Sequence, residues 1–475
     1  MTRELARLTH FERDERNLES SMAEVKRVEY LFLGGGKGGK SLAMEMARQG
    51  KRVAVIERGM IGGSCINVAC IPSKALIHRA RATHAWRDAA QREDVTADMA
   101  GVSAYVASVV NGMVDVNRRA FEQSGLELVI GAGRFVAPRT VAVRGADGAE
   151  TIYEGENVYI NTGTVASIPD VPGLRDAQPL THVEALRLTT LPGHLVVIGG
   201  GYIGLEMAQA FRRLGSAVTL VSDTPRVAMR EDEDVSTVIQ QALTDDGIRL
   251  ELAARLVGVE GRSGERVTVR LADGRAIEGS HVLVATGRTP QAAGIGLELA
   301  GVETNERGFI KVDHRLATTA ERTWAIGEVA GTPMFTHASF DDYRVLKAGI
   351  EGRPANTAER VIPYALFIDP ELGRIGLNET DANARQIDVG VAKLPMASVP
   401  RARTDGNTRG FMKALVHPGT GAILGFTMVG TGAGDVTTVV QMAMLGGLPY
   451  TAVRDAIIGH PIVSEGLNLL FATLH

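Results

Sequence analysis

Two stretches of this chain repeat one pattern, and that pattern constrains the fold more than any other feature. Tyr30-Leu31-Phe32-Leu33 is a short apolar run ending at Gly34-Gly35-Gly36-Lys37-Gly38-Gly39. A helical stretch over 41–49 and a second run, Arg52-Val53-Ala54-Val55-Ile56-Glu57, follow. Residues 195–198 lead in the same way into Gly199-Gly200-Gly201-Tyr202-Ile203-Gly204, a helix over 205–214 and a strand over 217–221. Strand, glycine turn, helix and strand make a βαβ unit. The glycines let the backbone turn tightly and approach a pyrophosphate at a helix N-terminus, where N–H groups and the helix dipole favour anions. Gly34, Gly36 and Gly39 mark one dinucleotide site, and Gly199, Gly201 and Gly204 mark a second.

Glu57 ends the strand after the first turn, the place for a carboxylate that accepts hydrogen bonds from a ribose. The same residues satisfy a rival pattern. Gly34, Gly39, Lys40 and Ser41 match the phosphate-binding loop of NTPases. The compact turn, Glu57 and the second glycine copy favour the dinucleotide, which leaves Lys40 as a solvated helix residue. In the second copy the strand ends at Ser222 instead of an acid, with Asp223 one step on. An acid would favour an unphosphorylated ribose and an arginine a 2′-phosphate. Arg226 and Arg230 are near, so the nicotinamide donor is NADPH or NADH, with a lean to NADPH through Arg226.

A chain of 475 residues is too long for one core. Helices are expected over 73–123, strands over 129–158, and a mixed region from 361 to the end. A net charge of −4 gives no basic field for nucleic acid. No apolar run of roughly 18 residues predicts a membrane span. Residues 1–27 are highly charged with no apolar core, so they read as an extension and not a secretory signal. A reducing cytoplasm is the expected compartment.

The only two cysteines stand in one string, Gly62-Gly63-Ser64-Cys65-Ile66-Asn67-Val68-Ala69-Cys70-Ile71-Pro72-Ser73-Lys74. Cysteine used nowhere else points to redox chemistry. A disulfide needs Cα atoms about 4.4–6.8 Å apart, whereas five residues of regular helix rise about 7.5 Å. Cys65 and Cys70 can bond only if the backbone between them is distorted. Metal binding would need further ligands nearby, and only His78 offers itself, so no metal is expected.

This string resembles the redox motif of the flavoprotein disulfide reductases, the family of dihydrolipoamide dehydrogenase, glutathione reductase and mercuric reductase. The similarity runs from about Arg27 to His475 and takes in Thr162-Gly163, Ala285-Thr286-Gly287-Arg288, Trp324-Ala325-Ile326-Gly327-Glu328 and His460-Pro461-Ile462-Val463-Ser464-Glu465. Within the family the chain is most similar to the bacterial reactive-chlorine-resistance type, which reduces hypothiocyanous acid. Phe335-Thr336-His337, Asp341-Asp342-Tyr343-Arg344, Pro400-Arg401-Ala402-Arg403 and Gly447-Leu448-Pro449-Tyr450 carry that closer likeness.

The resemblance implies a role for each residue. FAD is held by the first glycine turn, Glu57, Gly63, Ser64, Thr162, Gly163, Gly327 and Glu328. Cys65 is the thiol that attacks substrate and Cys70 the thiol held against the flavin. Lys74 pairs with Glu206, which on its own reads as a solvated helix acid. His460 is the general acid–base, crossing from the partner of a homodimer, with Pro461 in a helix first turn and Glu465 orienting the ring. The chain also departs from the family. Ala69 replaces a glycine, Lys37 a proline or alanine, Glu328 an aspartate, and Ile458 a histidine of lipoamide dehydrogenases. No cysteine pair stands at the C-terminus.

The expected fold class is α/β, with two Rossmann-like dinucleotide-binding domains and a C-terminal α+β dimerisation domain. The expected division is 28–165 with 286–355 for FAD, 166–285 for NAD(P) and 356–475 for dimerisation. The expected function is NAD(P)H-dependent reduction of a small sulfur oxidant or disulfide through Cys65 and Cys70. A dihydrolipoamide dehydrogenase subunit is the alternative, and a P-loop NTPase the remote one.

Overall fold

The computed structural model describes residues 25–92 and 95–474. They form two compact units, one of 25–63, 114–164 and 290–358, the other of 64–113, 165–289 and 359–474.

The sheet of the first unit runs in the order Glu127–Ile130, Val53–Glu57, Val25–Leu33, Glu150–Ile160, Thr140–Arg144, Ala132–Ala137, with Thr323–Ala325 also paired to Glu150–Ile160. The first four strands and Thr323–Ala325 are parallel neighbours. Val53–Glu57 is buried along its whole length, as parallel strands covered on both faces are. The helix Lys37–Arg48 lays Leu42, Ala43 and Met46 on Phe32, Val53, Val55 and Tyr159. The opposite face is filled by Leu31, Leu33, Ile56, Val141 and Val158 against Leu297 and Ile310. Tyr159 is stacked between Phe32 at 4.7 Å and Trp324 at 5.1 Å.

Residues 25–27, expected in the charged extension, instead begin the first strand and pair with Ile152, Tyr153 and Glu154. The strand is hidden in the sequence because Lys26 and Arg27 interrupt its apolar run. Both are neutralised across the sheet, by Glu127 at 2.8 Å and Glu154 at 3.0 Å. The rest of the extension lies outside the described residues.

The second unit holds a parallel sheet in the order Arg249–Glu251, Ala217–Val221, His194–Ile198, His281–Val284. A small antiparallel sheet of Leu256–Arg262, Arg266–Leu271 and Ala276–Gly279 accompanies it. The helix Tyr202–Leu214 is buried over most of its length, and the helix Cys70–Ala90 packs beside it. Both glycine helices begin earlier than their apolar periodicity suggests, because Gly36 and Gly201 are themselves the N-caps. The last region is a five-stranded antiparallel sheet, Tyr364–Leu366, Leu372–Gly376, Ile423–Val429, Phe411–Val416, Gly390–Pro395, with Ala433–Leu445 packed on it. Two Rossmann-like parallel sheets are what the repeated pattern predicts, and the α+β region is the mixed region expected from 361 onward.

A polar seam joins that last sheet to the segment between the strands Ala217–Val221 and Arg249–Glu251. Lys413, 1% exposed, reaches Asp232, Asp234 and Glu379 at 2.8, 3.0 and 2.7 Å. Burying Lys413 and Asp232 is tolerated only because each finds a partner.

One helix among the described residues, Met99–Ser124, is long and apolar enough to cross a membrane by length and composition alone. The sequence reading missed it because Asp115, Arg118 and Arg119 interrupt its second half. Met99, Val102 and Val106 are buried with Leu76, Ile77 and Ala80 of the neighbouring helix.

Two outcomes follow from this packing. A Cβ at Gly204 would stand 2.0 Å from the Gly199 carbonyl oxygen, so Gly204→Ala costs about 1–3 kcal/mol or more, read as a lower denaturation midpoint. Burial and the Arg288 charge depress the buried His182 to about 4. Its folded pKa lies below the ordinary value, so its stabilising contribution is complete above about pH 6.5 and is lost as pH falls towards 4. Urea denaturation of His182→Gln should show a shallower loss of stability across that window than the parent.

Candidate active site

In the first unit the glycine turn is built around Asn161, at the end of the strand Glu150–Ile160. A Cβ at Gly34, where φ is +102°, would meet the Asn161 carbonyl oxygen at 2.4 Å, and one at Gly36 would meet Asn161 Oδ1 at 2.6 Å. Asn161 Oδ1 accepts from the Gly39 N–H at 3.1 Å, and its Nδ2 donates to the Ile326 carbonyl at 2.8 Å. Asn161 therefore joins the turn to the Gly327-Glu328 segment. Gly327 is held from the other side by Asp342, fully buried, whose Oδ2 accepts from the Gly327 N–H and the Thr332 hydroxyl, each at 2.8 Å. Glu328 is half-buried and accepts from the Thr164 hydroxyl. Thr162 and Gly163 are locked by Gln291, through Thr162 Oγ1 to the Gln291 carbonyl at 2.7 Å and the Gln291 N–H to the Gly163 carbonyl at 2.9 Å.

Glu57 does more than the sequence suggests. Its Oε2 accepts from the Gly35 N–H, and its Oε1 from the N–H groups of Gly59 and Met60, all at 2.9 Å. Two turns are tied together, and Oε2 keeps acceptor capacity for a ribose hydroxyl. The helix Lys37–Arg48 carries no capping side chain and no acid in its first turn, which leaves its N-terminus suited to an anion. These residues fit the pyrophosphate and ribose of a dinucleotide.

Lys40 corrects the expectation of a solvated residue. It is 4% exposed, and its Nζ donates to the Gly62 carbonyl at 3.1 Å and to Asn117 Oδ1. Ser41 donates to the Lys37 carbonyl at 2.8 Å. Both are turned to the chain and not to a phosphate, which removes the NTPase reading. Gly63 packs on the same turn, since a Cβ there would stand 2.9 Å from Gly36 Cα.

The second unit begins at Ser64, in the helical turn Ser64–Asn67 that carries Cys65. The backbone leaves the helical path at Ala69, with φ −133° and ψ −103°, and a new helix starts at Cys70. The two cysteines are therefore not on one continuous helix, and both are half-buried. One turn along, Lys74 Nζ lies 2.9 and 3.0 Å from the carboxylate oxygens of Glu206. Glu206 is 8% exposed and also accepts from the Phe367 N–H at 3.0 Å. It is a buried partner and not a solvated helix acid, because the thiol helix packs directly on the second glycine helix.

The second glycine turn repeats the first. At Gly199, φ +115°, a Cβ would meet the Ala285 carbonyl oxygen at 2.5 Å. Ser222 Oγ stands 3.1 Å from a Cβ at Gly200, the place Glu57 Oε2 takes beside Gly35 at the same distance. At Gly201 a Cβ would meet nothing within 4 Å, and the helix Tyr202–Leu214 has no capping side chain and no acid in its first turn. That space fits a second dinucleotide. Arg226 directs Nη1 inward to the Glu231 carbonyl at 2.7 Å and to Ser236 at 2.6 Å, whereas Arg230 is exposed.

His460 is exposed, and its Nδ1 lies 3.0–3.1 Å from the Glu465 carboxylate. Pro461 is not in a helix first turn. It lies in a turn, and the helix Gly466–Phe471 follows the single 3₁₀ turn Val463–Glu465. Among the described residues no group of three or more His, Cys, Asp or Glu is placed to hold a metal.

Sequence reasoning missed Asn161, Asp342 and Gln291, which position the first turn, and a buried trio beside the second. Tyr202 and Tyr364 both donate to Glu231 Oε1, the latter at 2.7 Å, and burial holds both hydroxyls far above their ordinary pKa. Asn161 directly precedes Thr162-Gly163 and Asp342 lies in a string already singled out, but only contacts reveal their roles.

Residues 28–342 match the pyridine nucleotide-disulphide oxidoreductase family and residues 362–470 its dimerisation domain, so the chain belongs to that family of enzymes. Members bind FAD and take electrons from NAD(P)H. The chain is 36% identical to the probable pyridine nucleotide-disulfide oxidoreductase RclA of Escherichia coli, over 94% of this chain and 99% of that one. It is 33% identical to a dihydrolipoyl dehydrogenase of Geobacillus stearothermophilus, over 92% and 94%. The solved structure of the HOCl-induced flavoprotein disulfide reductase RclA from Escherichia coli matches it with a TM-score of 0.87 at 35% identity, over 94% of this chain and 100% of that one. The dimerisation domain supports a homodimer.

The open space at Gly201 sets a test. Gly201→Ala should leave the denaturation midpoint of the protein unchanged while raising KM for the nicotinamide donor about tenfold or more, since its methyl would occupy ligand space only. A fall in stability with KM unchanged would contradict it.

Proposed function

We propose that this flavoprotein disulfide reductase uses NADPH to reduce a small sulfur oxidant, hypothiocyanous acid or a low-molecular-weight disulfide, through Cys65 and Cys70. The observation that carries this reading is the cysteine pair on either side of a broken helix, one turn from the ion pair of half-buried Lys74 with buried Glu206. FAD, held by the first glycine turn, Glu57, Gly63, Ser64, Thr162, Gly163, Gly327 and Glu328, would supply the two-electron relay between nicotinamide and thiols. The HOCl-induced relative supports an oxidant-defence role. The three-domain division, with 28–165 and 286–355 for FAD, 166–285 for NAD(P) and 356–475 for dimerisation, is part of the same proposal.

The thiol chemistry balances without a further reactant. The Cys65 thiolate attacks the sulfur of hypothiocyanous acid, and hydroxide leaves as water with a proton from His460 of the partner subunit. The Cys70 thiolate then attacks the Cys65 sulfur, thiocyanate leaves, and the Cys65–Cys70 disulfide forms. Net, hypothiocyanous acid and NADPH give thiocyanate, water and NADP⁺. Glu465 would accept a hydrogen bond from Nδ1–H of His460, which leaves Nε2 for proton transfer. Lys74 places a positive charge one turn from Cys70, the setting that favours a thiolate. The donor preference rests on Ser222, which puts no carboxylate where Glu57 stands in the first copy, with Arg230 and the outer nitrogens of Arg226 left for a 2′-phosphate.

The direct assay follows NADPH oxidation with hypothiocyanous acid, small disulfides, and dihydrolipoamide with NAD in the reverse direction. Turnover with hypothiocyanous acid or a disulfide, absent in Cys65→Ser and Cys70→Ser, is expected, with a higher kcat/KM for NADPH than NADH. His460→Gln should lower kcat about 10²-fold or more. Efficient turnover of dihydrolipoamide with NAD alone would favour the lipoamide dehydrogenase reading instead.

A further inference from the structure

Lys37 stands in the first glycine turn where the resembling family usually carries proline or alanine, though some closer relatives share the lysine, and it is the first residue of the helix Lys37–Arg48. A cation there is opposed by the helix dipole, and the helix offers no acid in its first turn to offset it. The ammonium lies instead 4.4 Å from the centre of the Phe340 ring, and among the described residues no carboxylate is ion-paired with it. Phe340 belongs to the helix Thr336–Ile350, which touches the glycine helix at this point. A Cβ at Gly38 would stand 2.3 Å from the Ser339 carbonyl oxygen. The guanidinium of Arg344 lies 4.9 Å from the same ring and 3.8 Å from Asp341. The other lysine of the turn, Lys40, is buried on Gly62 and Asn117.

An aromatic face attracts a cation through its quadrupole but does not neutralise it. Phe340 thus fixes Lys37 beside the helix N-terminus with its charge intact, where the backbone alone would disfavour a cation. That arrangement makes physical sense when an anion occupies the N-terminus. We infer that Lys37 is a counter-ion for the pyrophosphate of the dinucleotide bound at the first glycine turn, held in place by Phe340. The inference rests on the reading that this turn holds FAD, and adds a charged binding residue to a site otherwise made of backbone N–H groups.

The test compares wild type, Lys37→Met, Lys37→Arg and Phe340→Leu, each stripped of cofactor and titrated with FAD by fluorescence quenching at low and high KCl. Melting temperatures are taken with and without FAD. Lys37→Met should raise the FAD dissociation constant about tenfold at low salt, the size of one charge-assisted contact, and should show a flatter salt dependence than wild type. Its cofactor-free melting temperature should be equal to or above that of wild type, because a cation has been removed from a helix N-terminus, while the rise produced by FAD should be smaller. Lys37→Arg should keep most of the affinity, and Phe340→Leu should fall between. Wild-type affinity and salt dependence in Lys37→Met, or an equal loss of melting temperature with and without FAD, would overturn the inference. A wild-type protein that fails to bind FAD at all would overturn the cofactor reading beneath it.

Discussion

The ion pair between Lys74 and Glu206 is the contact that ties the thiol helix to the rest of the second unit. Lys74 lies on the thiol helix, Glu206 on the second glycine helix, and the Glu206 carboxylate also takes the N–H of Phe367, just beyond the strand Tyr364–Leu366. Three chain segments distant in sequence are thereby fixed by one buried carboxylate. Lys74 Nζ also lies 4.5 Å from the centre of the Phe367 ring. Loss of Lys74 would leave Glu206 buried with a single backbone donor, and a buried charge stripped of its partner is strongly destabilising.

The first unit depends on a neutral analogue of that arrangement. Asn161 serves both the glycine turn and the Gly327-Glu328 segment with one amide, while Glu57 ties two turns with one carboxylate. Each glycine in the turn is explained by what its missing side chain would strike, and at Gly201 by the absence of anything to strike. The two turns are alike at the backbone and differ where a ribose would be read, Glu57 in one and Ser222 in the other. Two equal scaffolds can therefore hold two different dinucleotides.

Much of this was legible in the sequence because it is local. The glycine motifs, the strands around them and the cysteine string are each written within about forty residues, and periodicity reports them. The arithmetic of helical rise made a bond between Cys65 and Cys70 conditional on a distorted backbone, and the chain does leave the helical path at Ala69. What escaped is non-local. Glu206 alone looked like a solvated helix acid and was paired with Lys74 only through the family resemblance, and Lys40 looked like a solvated lysine, because burial depends on a segment elsewhere in the chain. The first strand was cut short because its charges, Lys26 and Arg27, find partners only across the sheet. Pro461 misled because a proline after a histidine suits a turn as well as a helix start.

The central claim is that reducing equivalents from NADPH arrive at Cys65 and Cys70. The most direct test is to alkylate the FAD-loaded protein under anaerobic conditions before and after one equivalent of NADPH, denature it, and locate the labelled residues by mass spectrometry. The account predicts that both cysteines are protected as a disulfide beforehand and that both become labelled after NADPH, in step with its oxidation. NADPH oxidised with no gain of label at either cysteine would contradict it.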